Sequence, residues 1–178
     1  MNIDINLVNK IEYNLNSEKI LQEIQNYIEN PFIKKIGGFS FQSRLNVDGL
    51  ASYFESFFDL SDTKNFFNLK IKETDFCLIN DNFKGSYIEE IINNFSLVRT
   101  RLVIMPPRFC LNFHADPTPR LHIPIKTNNE CYFYFPDQCK QFNLKEFNVY
   151  SVNTTQKHIF MNTSKQERIH ILGNLSHA

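Results

Sequence analysis

The chain has 178 residues, 42% of them hydrophobic and 21% charged, which is enough to bury a substantial core within one domain. Nineteen basic residues balance nineteen acidic ones, so no overall field draws the protein to nucleic acid or to an anionic membrane surface. No stretch of about 18 apolar residues occurs, and the opening MNIDINLVNKIEYN has no continuous apolar core of a signal peptide. Cys77, Cys110, Cys131 and Cys139 contain no CxxC pair, and scattered thiols of this kind fit a reducing compartment. These features predict a cytoplasmic protein forming a single domain over 1–178, with no nucleic-acid or membrane partner; oligomeric state is not legible.

In chain order, Ser17 is placed to cap a helix whose apolar face carries Ile20, Leu21, Ile24, Tyr27 and Ile28, stopped by Asn30-Pro31. Gly37-Gly38 marks a turn. A second helix is expected over 50–58, with Leu50, Tyr53, Phe54, Phe57 and Phe58 at helical spacing. Ser86 opens a third, with Tyr87, Ile88, Ile91, Ile92 and Phe95 on its apolar side. From about Val98 the pattern changes to short β-rich runs at 102–105, 121–125, Cys131–Phe135, 147–152 and 169–172, separated by Pro, Asn or Asp turns. Strands at this spacing favour a sandwich or small barrel. The expected fold is mainly β with N-terminal helices (α+β): a helical half over 1–97 packing on a double-stranded β-helix, or cupin-like jelly roll, whose core spans 98–175.

The residues richest in chemistry are His114, Asp116 and, much later, His158. Two imidazoles and one carboxylate form the ligand set that holds mononuclear Fe(II) while leaving positions open for co-substrate and O₂. A two-residue spacing on a strand turns His114 and Asp116 to the same face. Pro117 and Pro119 then force the chain out of regular pairing. His-x-Asp by itself is a weak signal, and either histidine alone is more often a satisfied core or surface residue. The pair, a distant histidine in β-rich sequence and an arginine one strand further on make a more specific pattern, and the metal site ranks ahead of chance.

Two segments, Arg120-Leu121-His122-Ile123 and Arg168-Ile169-His170-Ile171, put Arg and His on one face and aliphatic residues on the other. An arginine facing a β-barrel interior is costly unless paired. No acidic residue lies in these strands, so a bound carboxylate is the expected partner, held bidentately by the guanidinium. Burial is favoured for Arg168, whose neighbours are aliphatic, and a solvated edge position is about as plausible for Arg120. Arg101, Arg108 and His170 are further candidates to meet an acidic group of a substrate.

The stretches MPPRFCLNFHADPTPRLHIPI and VYSVNTTQKHIFMNTSKQERIHILGNL resemble the aspartyl/asparaginyl β-hydroxylase-like family of Fe(II)/2-oxoglutarate oxygenases over 99–175. The resemblance implies that His114, Asp116 and His158 ligate iron and that Arg168 holds the distal carboxylate of 2-oxoglutarate. By the same likeness, His122 and its polar neighbour Arg120 lie near the metal-binding end of that co-substrate, and Asn162 acts as a turn or supporting residue. Asp116 is present here, whereas the animal peptide-hydroxylase branch lacks the carboxylate ligand. The hydroxyl residue which that branch carries on the strand before the first ligand falls on Val103, with Thr100 nearby. The implied activity is a 2-oxoglutarate/Fe(II)-dependent dioxygenase, consuming O₂ and hydroxylating an amino acid or a peptide side chain. A non-catalytic cupin-like module binding a metal or small acid is the alternative, and a hydrolytic zinc site ranks below both. Because imidazole must be neutral to ligate, iron affinity is expected to weaken below about pH 6.5.

Overall fold

A computed structural model describes residues 7–45 and 72–175; the helix expected over 50–58 lies outside the described residues. The elements are β1 (Val8–Ile11), α1 (Ser17–Glu29), α2 (Pro31–Ile36), β2 (Gly38–Ser40), β3 (Gln42–Ser43), β4 (Leu78–Ile79), α3 (Tyr87–Asn94), β5 (Leu97–Met105), β6 (Phe109–Cys110), β7 (Arg120–Lys126), β8 (Cys131–Phe135), β9 (Lys140–Phe142), β10 (Val149–Val152), β11 (Ile159–Asn162) and β12 (Arg168–Leu175). They fall into two compact units, the first holding 7–15 and 104–171, the second 16–45, 72–103 and 172–175.

In the first unit, β1, β10, β7 and β12 lie in that order in one sheet, and β6, β11, β8 and β9 form the other. From β7 to β12 the chain repeatedly changes sheets, which is the double-stranded β-helix. The fold is thus mainly β, as the strand spacing implied. Alternation drives it: along β8, Cys131, Phe133 and Phe135 are buried while Tyr132 and Tyr134 are half-exposed. The inward side chains meet Met105, Leu144, Tyr150, Val152 and Phe160 in one core. Residues 7–15 join this unit because β1 pairs antiparallel with β10, Val8 opposite Val152.

The second unit contains the helices. Asn16, rather than Ser17, caps α1, its side chain accepting from the Lys19 amide at 3.0 Å. Asn30 ends α1 and its side chain caps α2, where Pro31 takes the first turn without losing a hydrogen bond. Ser86 caps α3 as expected, accepting from the Glu89 amide at 3.1 Å. The Tyr87 and Ile88 amides donate to the Glu23 carboxylate of α1 at 2.7 and 2.9 Å. Tyr27, Phe39, Phe41 and Phe83 pack ring to ring, with Tyr27 stacked on Phe39 at 4.4 Å between centroids. A buried ion pair between Arg99 and Glu73, 2.5 Å long, closes part of this unit. Strands β3 and β4 pair here, and β2 pairs with the middle of β5, Phe39 opposite Leu102. No helix among the described residues is long and apolar enough to cross a membrane.

Candidate metal centre

The triad forms in the first unit, on backbone that the sequence brings together by one antiparallel bridge. His114 and His158 are paired, each amide donating to the other's carbonyl at 3.0 and 2.9 Å. Two residues on, the Asp116 amide donates to the Thr154 carbonyl at 2.8 Å. This extended stretch turns His114 and Asp116 to one side, before Pro117 breaks the pairing. One ligand atom from each of His114, Asp116 and His158 lies within 4.8 Å of the others. The His114 Nε2 is 4.0 Å from Asp116 Oδ1, and the His158 Nε2 is 3.8 Å from Asp116 Oδ2.

Both histidines are oriented in the same way. The Nδ1–H of His114 donates to the Asn112 carbonyl at 2.8 Å, and that of His158 to the Gln156 carbonyl at 2.9 Å. Each bond spans two residues backwards and leaves Nε2 as the lone-pair nitrogen, the tautomer a metal requires. Burial holds the His158 pKa below the usual imidazole value, with His114 and Arg120 adding to the depression and the Gln156 carbonyl and Asp116 opposing it. A neutral His158 at neutral pH suits coordination. Asp116 Oδ2 is buried with no hydrogen-bond partner among the described residues. The donor set therefore fits a divalent cation: two neutral imidazole nitrogens and a carboxylate oxygen converge on one point.

Arg120 does not lack an acidic neighbour, contrary to what the strand composition suggested. Its Nη2 donates to Asp116 Oδ1 at 2.6 Å, from the first residue of β7 back to the carboxylate four positions earlier. This pairing holds one Asp116 oxygen and leaves the other for the centre. The partner was missed because it precedes the strand rather than lying within it.

Beyond the triad, a series of rings leads to Arg168. Phe133 packs against His158 at 6.0 Å and against His122 at 5.1 Å, and His122 faces His170 at 5.8 Å. Arg168 is buried, at 3% exposure. Its guanidinium lies over the Phe160 ring at 3.4 Å and an Nη2–H donates to His170 Nδ1. No carboxylate meets it among the described residues. Burial pulls its pKa well below the ordinary arginine value, with Cys131 opposing. Of the other candidates for an acidic group, Arg101 is buried in the second unit and Arg108 is exposed. Val103 is half-buried and Thr100 buried in that same unit.

Asn162 proves to be a hub rather than a simple turn residue. Its Nδ2 donates to the Pro106 and Gln166 carbonyls at 2.9 and 2.8 Å, and its Oδ1 accepts from Ser164 Oγ at 2.7 Å and Cys131 Sγ at 3.2 Å.

A family model described as Aspartyl/Asparaginyl beta-hydroxylase matches residues 84–178, just over half of the chain. No curated protein sequence matches significantly. Among solved structures, the viral collagen prolyl hydroxylase of Paramecium Bursaria Chlorella virus-1, in complex with 2OG, aligns with 98% of this chain and 97% of its own. The identity is 12% and the TM-score 0.51. A 2OG-Fe(II) oxygenase family oxidoreductase of Burkholderia pseudomallei covers 89% of this chain and 76% of its own, at 13% identity and a TM-score of 0.49. A Pseudomonas putida prolyl-4-hydroxylase covers 95% and 87%, at 6% identity and a TM-score of 0.48. At these identities the viral structure bears on fold alone, and it agrees with the jelly roll described above.

Proposed function

This chain belongs to the aspartyl/asparaginyl beta-hydroxylase family, and from that premise we propose that it is an Fe(II)- and 2-oxoglutarate-dependent dioxygenase hydroxylating an amino acid or a peptide side chain. The observation that carries the co-substrate assignment is Arg168: a guanidinium at 3% exposure, stacked on Phe160, with no carboxylate beside it among the described residues. A buried cation is stable only when something anionic balances it. The distal carboxylate of 2-oxoglutarate has the charge and the planar geometry to do so.

In this reading His114, Asp116 and His158 would hold Fe(II), through Nε2, Oδ2 and Nε2 respectively. Once bound, Fe(II) with 2-oxoglutarate and O₂ supplies the oxidising power to insert oxygen into a C–H bond. The chain's own work is positional. The Asn112 and Gln156 carbonyls fix the two imidazoles, and Arg120 fixes the rotamer of Asp116. His122 and Arg120 would flank the keto-acid end of the co-substrate, and Phe133 and Phe160 exclude water along the way to Arg168. No side chain need act as a general base, because the reaction begins with no proton abstraction by the protein.

The test is O₂-dependent formation of succinate from 2-oxoglutarate by Fe(II)-loaded protein, with amino acids and peptides screened for stimulation of turnover. Asp116→Ala and Arg168→Ala are expected to abolish it. Full activity in either variant contradicts the assignment, and tight binding of 2-oxoglutarate without turnover under any substrate would favour a cupin-like binding module instead.

A further inference from the structure

Arg168 and His170 sit two apart on β12 and so project from the same side of that strand. Both are buried, at 3% and 1% exposure, and an Arg168 Nη2–H donates to His170 Nδ1. A guanidinium can only donate. The Nδ1 is therefore the accepting nitrogen, and the ring's proton sits on Nε2, on the side away from Arg168. Burial foremost, then Arg168 and His122, hold the His170 pKa well below the usual imidazole value. The acceptor is thus a neutral ring.

Two contacts fix the guanidinium, and they act in different directions. Its Cζ lies over the Phe160 ring, 3.4 Å from the centroid. Attraction of a cation to a ring face sets its height above the ring but is weakly directional within the plane. The bond to His170 supplies what stacking lacks: one acceptor at one Nη2–H stops the group from turning or sliding over Phe160. His170 is held in turn, tilted against Phe160 at 5.9 Å and against His122 at 5.8 Å. The other N–H groups of Arg168 then keep one orientation, and its Nε has no hydrogen-bond partner among the described residues. The charge of the acceptor matters as much as its place. A carboxylate at position 170 would hold the same N–H but would also cancel the cation. A neutral imidazole satisfies one donor and leaves the positive charge to attract an anion.

We infer that His170 is a positioning residue for co-substrate binding: as an uncharged acceptor it orients Arg168 on Phe160 and leaves the guanidinium's charge for the distal carboxylate of 2-oxoglutarate. No contact between His170 and that carboxylate is required. The inference rests on the function proposed above and deepens it, because affinity at Arg168 then depends on a residue that never meets the ligand.

The experiment is anaerobic calorimetric titration of the Fe(II)-loaded protein with 2-oxoglutarate and, separately, with 2-oxobutyrate, which has the same keto-acid end but no distal carboxylate. His170→Leu removes the acceptor and should weaken 2-oxoglutarate binding by about tenfold, the scale of one hydrogen bond to a charged group. His170→Asn returns an uncharged acceptor close to the backbone, as Nδ1 is, and should retain most of the affinity. His170→Asp has the same size but carries a negative charge, and should bind 2-oxoglutarate at least as weakly as the Leu variant. All three should bind 2-oxobutyrate as the wild type does, which also shows that they are folded. Undiminished 2-oxoglutarate binding in the Leu variant overturns the inference. So does equal weakening in the Asn and Asp variants, or an equal loss for both acids in the Leu variant, each the signature of packing alone. Wild-type protein that binds neither acid would instead refute the proposed function, and this inference with it.

Discussion

Each triad histidine is aimed by a hydrogen bond to a carbonyl two residues behind it, so tautomer and ring direction are written into the short stretches 112–114 and 156–158 that end at the ligands. The residue types of the triad were legible for this reason: their roles depend on local sequence and one bridge. Arg120 was less legible, since strand alternation shows which way a side chain points but not what waits beyond the strand's first residue. The same histidines carry a pH consequence. His158 and His170 both have folded-state pKa values lowered by burial, so the unfolded chain binds more protons than the folded one as the pH falls below the unperturbed value of about 6.5. Stability should therefore be full above that pH and decline as acid is added toward the lowered folded values. Thermal melts of metal-free protein from pH 7.5 to 5 are expected to show a falling midpoint, with a shallower fall in His170→Gln. A midpoint independent of pH over that range would refute the neutral, buried state of these rings.

At the level of elements, β8, β10, most of β7 and about half of β5 and β12 were readable from their runs of β-formers and alternation. Strands β2, β3, β4, β6 and β9 have only two or three residues each; their pairing is decided by partners distant in sequence, not by local propensity. Strand β11 escaped for a similar reason, although Ile159, Phe160 and Met161 directly after His158 were a usable signal. The start of α1 was misplaced by one residue because Asn and Ser cap about equally well. Asn162 shows what binds the end of β11 to its surroundings: one buried amide serves the carbonyls of Pro106 and Gln166 and accepts from Ser164 and Cys131. Asn162→Ala should cost about 2–4 kcal/mol, since several buried groups lose their partner together. Chemical denaturation would measure it, and a cost below about 0.5 kcal/mol, the range of an ordinary surface substitution, would show that the hub carries no weight.

Across the molecule, the change from helical to strand periodicity near Val98 was enough to foresee a jelly roll preceded by helices. What composition could not convey is how residues 7–15 leave the helical region to add β1 beside β10. Nor could it show that the N-terminus of α3 is satisfied by Glu23 of α1, some sixty positions earlier. Such pairings depend on tertiary approach and leave no periodic trace. The chemistry, by contrast, concentrates in the first unit, where the triad, the intervening rings and Arg168 occupy the same sandwich. The central claim is that His114, Asp116 and His158 hold one ferrous ion to which 2-oxoglutarate can chelate while Arg168 grips its far end. Anaerobic addition of Fe(II) and 2-oxoglutarate tests this most directly. The account predicts a visible metal-to-ligand charge-transfer band in the wild type that is lost in His158→Ala and requires far more 2-oxoglutarate in Arg168→Ala. No band in the wild type, or one unchanged in both variants, would contradict it.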